Sequence, residues 1–298
     1  MSQSKTITVP NAIKQIESGS SVAMGLALEH AIPFAAGHEM VRQQKNDLTL
    51  IGPISDILFD QLIGGDVVES LRVAWVGNVS TGSGYRFRQA IESGTIEIED
   101  HSNFSMALAL EAGSMGVPYL PTRTLLGTDI LEDSDQFVVQ TDPFEEKRVV
   151  LVPAIHPDWC IVHVQRADER GNAHLWGNSG TAHSAVGASD HVILTAEKIV
   201  SSETIKSDSS RTQITEVDVD FVVECPYGAH PSPLSGFYNR AHEFYVSYAE
   251  ESQDREGFDQ WANKCIYGVD DRAEYVDLLT EVPDLSSPTK AAEVTYGQ

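Results

Sequence analysis

Short apolar runs alternate with amphipathic stretches through the first half of the chain, and that rhythm restricts the fold more than any other feature. Residues 10–16 read as a helix with Pro10 in its first turn, closed by Gly19, and residues 21–27 as a buried strand. The alternation continues as helix 33–44, strand 47–51, helix 56–63, strand 71–76, helix 84–92, strand 95–98 and helix 102–114. Strands separated by single helices require crossover connections, which build a parallel sheet covered on both faces. The expected fold class is therefore α/β: an open, mainly parallel sheet with helices on both faces.

Between 128 and 148 the pattern loosens into an acidic stretch with the turn signal Asp142-Pro143, which reads as a surface excursion. Strands at 149–152 and 160–164 follow. The turn 167–173 then leads into His174-Leu175-Trp176, a hairpin insertion, before helix 181–188 and strand 191–195 resume the α/β alternation. No repeat or linker divides the chain, so residues 1–298 are expected to form one domain. From about 268 the sequence reads as a weakly structured acidic tail, helical only near 275–279.

Hydrophobic residues make up 41% of the 298, enough for a sizeable core. The apolar runs fall far short of a spanning helix, and the opening residues lack the basic and apolar regions of a signal peptide, which points to the cytoplasm. Cys160, Cys225 and Cys265 have no paired spacing and read as buried thiols. Ten histidines form no ligand motif, so no metal is expected. The 44 acidic against 20 basic residues give a formal charge of −24, which disfavours nucleic acid and anionic membranes as partners. Spread along the chain with little lysine, this acidity suggests a halophilic protein, because salt screens self-repulsion.

In open parallel sheets ligands bind beyond the carboxyl ends of the strands, so the residues just after each apolar run are the informative ones. Three segments stand out: Gly25-Leu26-Ala27-Leu28-Glu29-His30, the glycine-rich loop 77–84, and ECPYGAHPSPLSGFYNR at 224–240. The second loop, at a helix start with Arg86 and Arg88 behind it, could cradle an anion, although it is neither a P-loop nor a dinucleotide fingerprint. No serine lies in a nucleophile elbow. Glu29, Glu99 and Asp100 stand at strand ends, where a carboxylate could act as base or nucleophile; in so acidic a chain, solvated charge is the plainer reading.

The run Tyr227-Gly228-Ala229-His230-Pro231-Ser232, with Gly236-Phe237-Tyr238 behind it, resembles a loop of the A (alpha) subunits of family I CoA-transferases. Asp47-Leu48-Thr49, Arg86-Phe87-Arg88, Glu99-Asp100, Val117-Pro118-Tyr119-Leu120-Pro121, Asp142-Pro143-Phe144 and Trp176-Gly177 are similar to the family in the same order. The resemblance implies a fold of the CoA-transferase type and a ping-pong transfer of CoA between carboxylic acids. It implies that the glutamate forming the glutamyl-CoA thioester lies on a partner B (beta) subunit, so that this chain carries no nucleophile and works in an αβ hetero-oligomer. Coenzyme A enters as a substrate rather than a resident cofactor.

By position, the resemblance implies acyl contacts at Gly25, Asn78, Ser80 and Thr81, with Gly228 and His230 bordering the same cleft. His230 reads as a scaffold or cleft-lining residue rather than a proton carrier. The chain departs from the family pattern at Met24-Gly25-Leu26, at Glu29-His30-Ala31-Ile32 where basic residues are usual, and at Asn78 where a serine is usual. These departures fall where the acyl group is recognised. Two alternatives remain: a CoA-ester hydrolase subunit with Glu99 or Asp100 as the base for water, and a ligand-binding relative of the sugar-phosphate isomerases, disfavoured because no effector domain is attached.

Overall fold

A computed structural model describes residues 4–279. Helix α1 (Val9–Lys14) has Pro10 in its first turn and is capped by Thr8, whose hydroxyl accepts from the Asn11 N–H. Strand β1 (Ser21–Ala23) stops after 3 residues rather than running to 27, because Gly25 turns left-handed at φ +69°. Then come α2 (Phe34–Arg42), β2 (Leu48–Ile54), α3 (Leu58–Gly64), β3 (Val68–Trp75), β4 (Gly77–Asn78), β5 (Gly82–Ser83), α4 (Tyr85–Ser93), β6 (Glu97–Asp100) and α5 (Asn103–Met115). A capping box between Ser102 and Ser105 starts α5, and left-handed Gly116 ends it.

The acidic excursion is more ordered than its sequence suggests. Strands β7 (Tyr119–Thr122), β8 (Val138–Thr141) and β9 (Arg148–Pro153) form a separate antiparallel sheet in the order β7-β9-β8, with α6 (Asp129–Glu132) between the first two. The strand expected at 149–152 belongs to this small sheet. Every residue of β8 is exposed, so no apolar period marks it in the sequence.

The second half supplies β10 (Trp159–Ala167), β11 (Ala173–His174), α7 (Ala182–Ala188), β12 (His191–Ile199), α8 (Ser202–Ser207), β13 (Thr212–Ile214) and β14 (Phe221–Glu224). In the main sheet β14, β12, β10, β1, β2, β3 and β6 lie side by side and parallel. Chain order runs one way from β1 to β6 and the opposite way from β10 to β14. The sheet therefore reverses between β1 and β10, the position where such folds open a binding crevice. The hairpin insertion is present: β11 pairs antiparallel with Arg166 and Ala167 at the far end of β10, where β1 has already left the sheet.

Successive strand residues face opposite cores. Val22, Ile161 and Ile193 pack with Phe34, Met40 and Leu58, whereas Ala23, Val162 and Leu194 pack with Met106, Leu110 and Val186. Helices α9 (His242–Glu251), α10 (Arg255–Ala262) and α11 (Arg272–Asp277) cover the first core through buried Tyr245, Trp261 and Tyr275. Each such ring removes roughly 150–250 Å² from water, an upper-bound gain of about 4–6 kcal/mol. The expected weakly structured tail thus begins too early at 268, because α11 seats Tyr275 and Val276 in the core; residues 280–298 lie outside the described residues. Among the described residues no helix is long and apolar enough to cross a membrane. All three cysteines are free and buried, and burial pushes the Cys225 and Cys265 thiols up to about 11.

Candidate active site at the strand ends

Four loops meet beyond the carboxyl ends of the strands: 24–33 after β1, 55–57 after β2, the β4–β5 hairpin after β3, and 225–240 after β14. Ala31 N–H donates to the Pro233 carbonyl and Ala35 N–H to that of Gly228, each at 3.0 Å. The Ser232 hydroxyl donates to the Glu29 carbonyl at 2.5 Å. Left-handed residues other than glycine gather here, namely Leu28 (φ 66°), Ala31 (φ 54°), Asp56 (φ 56°) and Tyr227 (φ 56°). Each such conformation costs about 1–2 kcal/mol, and a cluster of them persists where the surroundings over-determine the backbone, as at binding sites.

Gly25 sets the approach of the first two loops. A Cβ there would lie 2.7 Å from Ser55 Cβ and 2.8 Å from Ser55 Cα, on a backbone at φ +69°. Gly25→Ala should lower the unfolding free energy by about 2–4 kcal/mol, read as a drop in the denaturant midpoint. An unchanged midpoint would contradict this close packing.

Two polar networks lie under the rim. In the first, buried Asp56 accepts at Oδ1 from Asn78 Nδ2 at 2.5 Å, and Asn78 Oδ1 accepts from Ser80 N–H at 2.9 Å. Burial, only partly offset by the Asn78 hydrogen bond, pushes the Asp56 carboxyl up to about 6. Arg240 Nη1 stands 2.7 Å from Glu29 Oε2, and the guanidinium carbon lies 4.2 Å from the centre of the Tyr245 ring. Arg240 Nη2 and Glu29 Oε1 are buried without a hydrogen-bond partner.

The second network latches the proline-rich loop. Buried Glu197 of β12 accepts from Tyr227 N–H at 2.5 Å and from the Tyr238 hydroxyl at 3.1 Å, and pairs with His163 Nε2 of β10 at 3.0 Å. The Tyr238 oxygen accepts from Ala229 N–H at 3.1 Å. From the other side, Arg272 of α11 donates Nε to the Tyr227 carbonyl at 2.9 Å and Nη2 to that of His230. His30 Nε2 accepts from Ser235 N–H at 2.9 Å, and burial lowers that imidazole to about 4, so it stays a neutral acceptor. The loop is rigid because carboxylate, phenol, imidazole and guanidinium groups hold its backbone, with Ala31, Ala229, Leu234 and Tyr238 as its own small core.

Several residues singled out in the sequence meet here. Gly25, Asn78 and Gly228 lie within the rim, Ser80 is exposed at its lip and Thr81 is half-buried. The 77–84 loop is the β4–β5 hairpin, and the start of α4 is already occupied by buried Asp60, whose Oδ1 accepts from Phe87 N–H at 2.7 Å. Arg86 turns away to the carbonyls of Ser252 and Gln253.

His230 lies behind the rim. Its ring packs edge-on to Phe244 and Tyr275, its Nδ1 is 3.2 Å from the Tyr275 hydroxyl, and burial followed by the Arg272 charge lowers it to about 3. Such a ring stays neutral across the physiological range. Glu99 and Asp100 end β6 at the free edge of the sheet. Burial raises the Glu99 carboxyl, but His101 at 3.0 Å and Arg72 at 3.4 Å outweigh it and hold Glu99 below the usual range. Both acids line a cleft of about 520 Å³ with Ser70, Asp129 and Gln136, which shares no residue with the strand-end loops.

Asp56, Arg240, Tyr245, His163 and Glu197 escaped the sequence analysis. The last two left a signal: a histidine and an acid interrupt the apolar runs of two strands that turn out to be parallel neighbours.

Residues 6–225 match the Coenzyme A transferase family. The A subunit of the 3-oxoadipate CoA-transferase of Pseudomonas knackmussii is 32% identical over 279 residues, covering 92% of this chain and 98% of that protein. The A subunit of the glutaconate CoA-transferase of Acidaminococcus fermentans is 31% identical over 294 residues, covering 93% and 92%. The crystal structure of glutaconate coenzyme A-transferase from Acidaminococcus fermentans superposes with a TM-score of 0.87 at 30% identity, over 92% of each chain. With agreement in sequence along most of its length and in the arrangement of its sheet, the chain belongs to the coenzyme A transferase family.

Proposed function

We propose that the chain is the A subunit of a heteromeric CoA-transferase that moves CoA between carboxylic acids together with a B subunit. The observation that carries this is the state of the carboxylates at the strand ends. Asp56 is buried, Glu29 is paired with Arg240, and Glu197 is enclosed by His163, Tyr227 and Tyr238. Such a cleft can seat and orient an acid, while the attacking carboxylate comes from a second chain.

In that division of labour a glutamate brought by the B subunit makes the attack on the acyl-CoA carbonyl, forming an acyl-glutamyl anhydride and expelling CoA thiolate. The thiolate attacks the glutamyl carbonyl, which releases the first acid and leaves the enzyme thioester; a second acid then reverses both steps. This chain supplies the walls, with Gly25, Asn78 and Gly228 in the rim and the Ser80 and Thr81 hydroxyls at its lip. Their rigid backing lowers the ordering cost of each encounter. Coenzyme A is a substrate, and no resident cofactor is called for. Transfer is favoured over hydrolysis because Glu99 is ion-paired and, with Asp100, lines a cleft that shares no residue with the strand-end loops. A salt-rich cytoplasm fits the formal charge of −24.

The test is co-expression with a B-type CoA-transferase chain, expected from the neighbouring reading frame, then incubation with acyl-CoA and borohydride reduction. CoA should pass to an added acid, a glutamate of the B subunit should be lost to reduction, and this chain alone should be slower by a factor of about 1,000 or more. Release of free acid and CoA with no trapped thioester would overturn transfer in favour of hydrolysis. Full turnover by the isolated chain would overturn the division of labour.

A further inference from the structure

We infer that Arg240 is a carboxylate-binding residue of this cleft, and that Glu29 holds its place until an acid arrives. The ion pair is only half made. Nη1 meets Oε2 at 2.7 Å, while Arg240 Nη2 and Glu29 Oε1 are both buried and without a partner. A guanidinium and a carboxylate free to align form two parallel hydrogen bonds. Here one arm of each fork is idle, and idle buried polar groups are costly.

The loop explains the misfit. Glu29 lies between left-handed Leu28 and Ala31, its carbonyl is fixed by the Ser232 hydroxyl, and the next side chain, His30, is fixed by Ser235 N–H. From this fixed backbone the Glu29 carboxylate meets only one arm of the guanidinium, whereas one carried by a small acid is free to meet both. The guanidinium is itself held in plane by the Tyr245 ring 4.2 Å away. The Glu29 side chain is 36% exposed, so it can swing toward solvent and yield its place.

Charge favours the same assignment. An acid approaching a chain of formal charge −24 needs a local cation. Arg86 spends its donors on Ser252, Gln253 and Gln89, and Arg272 donates Nε and Nη2 to backbone carbonyls with Nη1 left over behind the loop; Arg240 keeps Nη2 unpartnered beside Glu29. The ligand is a carboxylate, either the reacting group of an acceptor acid or the second carboxylate of a dicarboxylic acid. The identity of that acid as a CoA acceptor rests on the transferase reading; binding itself is measured without turnover, so the two can fail separately.

The experiment is calorimetric titration of the chain, assembled with its B subunit, with glutarate and with butyrate. Arg240→Met should weaken glutarate by about tenfold or more, and Glu29→Gln, which removes the competing charge, should tighten it by about threefold. Weakening of both acids in Arg240→Met identifies the reacting carboxylate as the ligand group, and weakening of glutarate alone identifies the second carboxylate. The proposal is overturned if Arg240→Met shifts glutarate affinity by less than about twofold, or if wild type binds neither acid at millimolar concentration. Should Arg240→Met fail to assemble, Glu29→Gln decides: tightening supports a place-holder, and weakening or no change means a structural strut.

Discussion

Glu197→Ala should lower the free energy of unfolding by about 3–5 kcal/mol, the cost of leaving three buried polar groups without their shared acceptor. Removing the carboxylate strands His163 Nε2, the Tyr238 hydroxyl and Tyr227 N–H around a site where His163, Glu197 and Tyr238 are at most 3% exposed. Each abandoned group pays its desolvation without return, about 1–3 kcal/mol apiece before relaxation. Glu197→Gln keeps an acceptor for Tyr227 and should cost less. Denaturant unfolding gives the totals, and hydrogen exchange localises them: the Tyr227 and Ala229 amides should lose protection before those of β10. A loss below about 1 kcal/mol in Glu197→Ala would mean that the loop is held by its own packing and not by this carboxylate.

Asp56→Asn should act in the opposite direction, and its sign depends on pH. The Asp56 carboxyl rises from 3.8 to about 6 on folding. Between those values the native state binds more protons than the unfolded chain, so stability is greatest below the lower one and falls as pH rises through the upper. By neutral pH the ionised, buried carboxylate costs about 3 kcal/mol, from roughly two units at 1.36 kcal/mol each. Asparagine keeps an acceptor for Asn78 and has no charge to bury. The variant should match wild type near pH 4 and exceed it by up to about 3 kcal/mol near pH 8. Parallel stability profiles for the two proteins from pH 4 to 8 would show that the Asp56 environment is not the apolar one described. Retaining an acid where an amide is more stable is the kind of trade-off binding sites make.

Much of the architecture was legible because local periodicity and caps encode it. Apart from the β4–β5 hairpin, which read as a loop, the strand and helix order through α5 follows from alternating apolar runs and Pro10, with ends displaced by a few residues. Residues 24–27 read as strand because they are apolar and buried, yet they are loop. Burial and strand are different properties, and periodicity reports only the first. The PYGAHPS run identified the family without identifying chemistry: its backbone is what other residues grip, and its histidine packs against Phe244 and Tyr275. The Glu29–Arg240 and Asp60–Tyr248 contacts join distant parts of the chain, and nothing local in the sequence pairs them.

The two-sided latch on the proline-rich loop also has a consequence in time. Glu197 precedes the loop in the chain, but Arg272 follows Tyr227 by 45 residues and lies beyond the stretch matched to the family. At 5–20 residues per second, a ribosome delivers the second grip roughly 2–9 s after the loop. During that interval the parallel sheet can form while the cleft wall is held from one side only. A nascent chain is therefore recognisable as a member of its family some seconds before its cleft is fit to receive an acid.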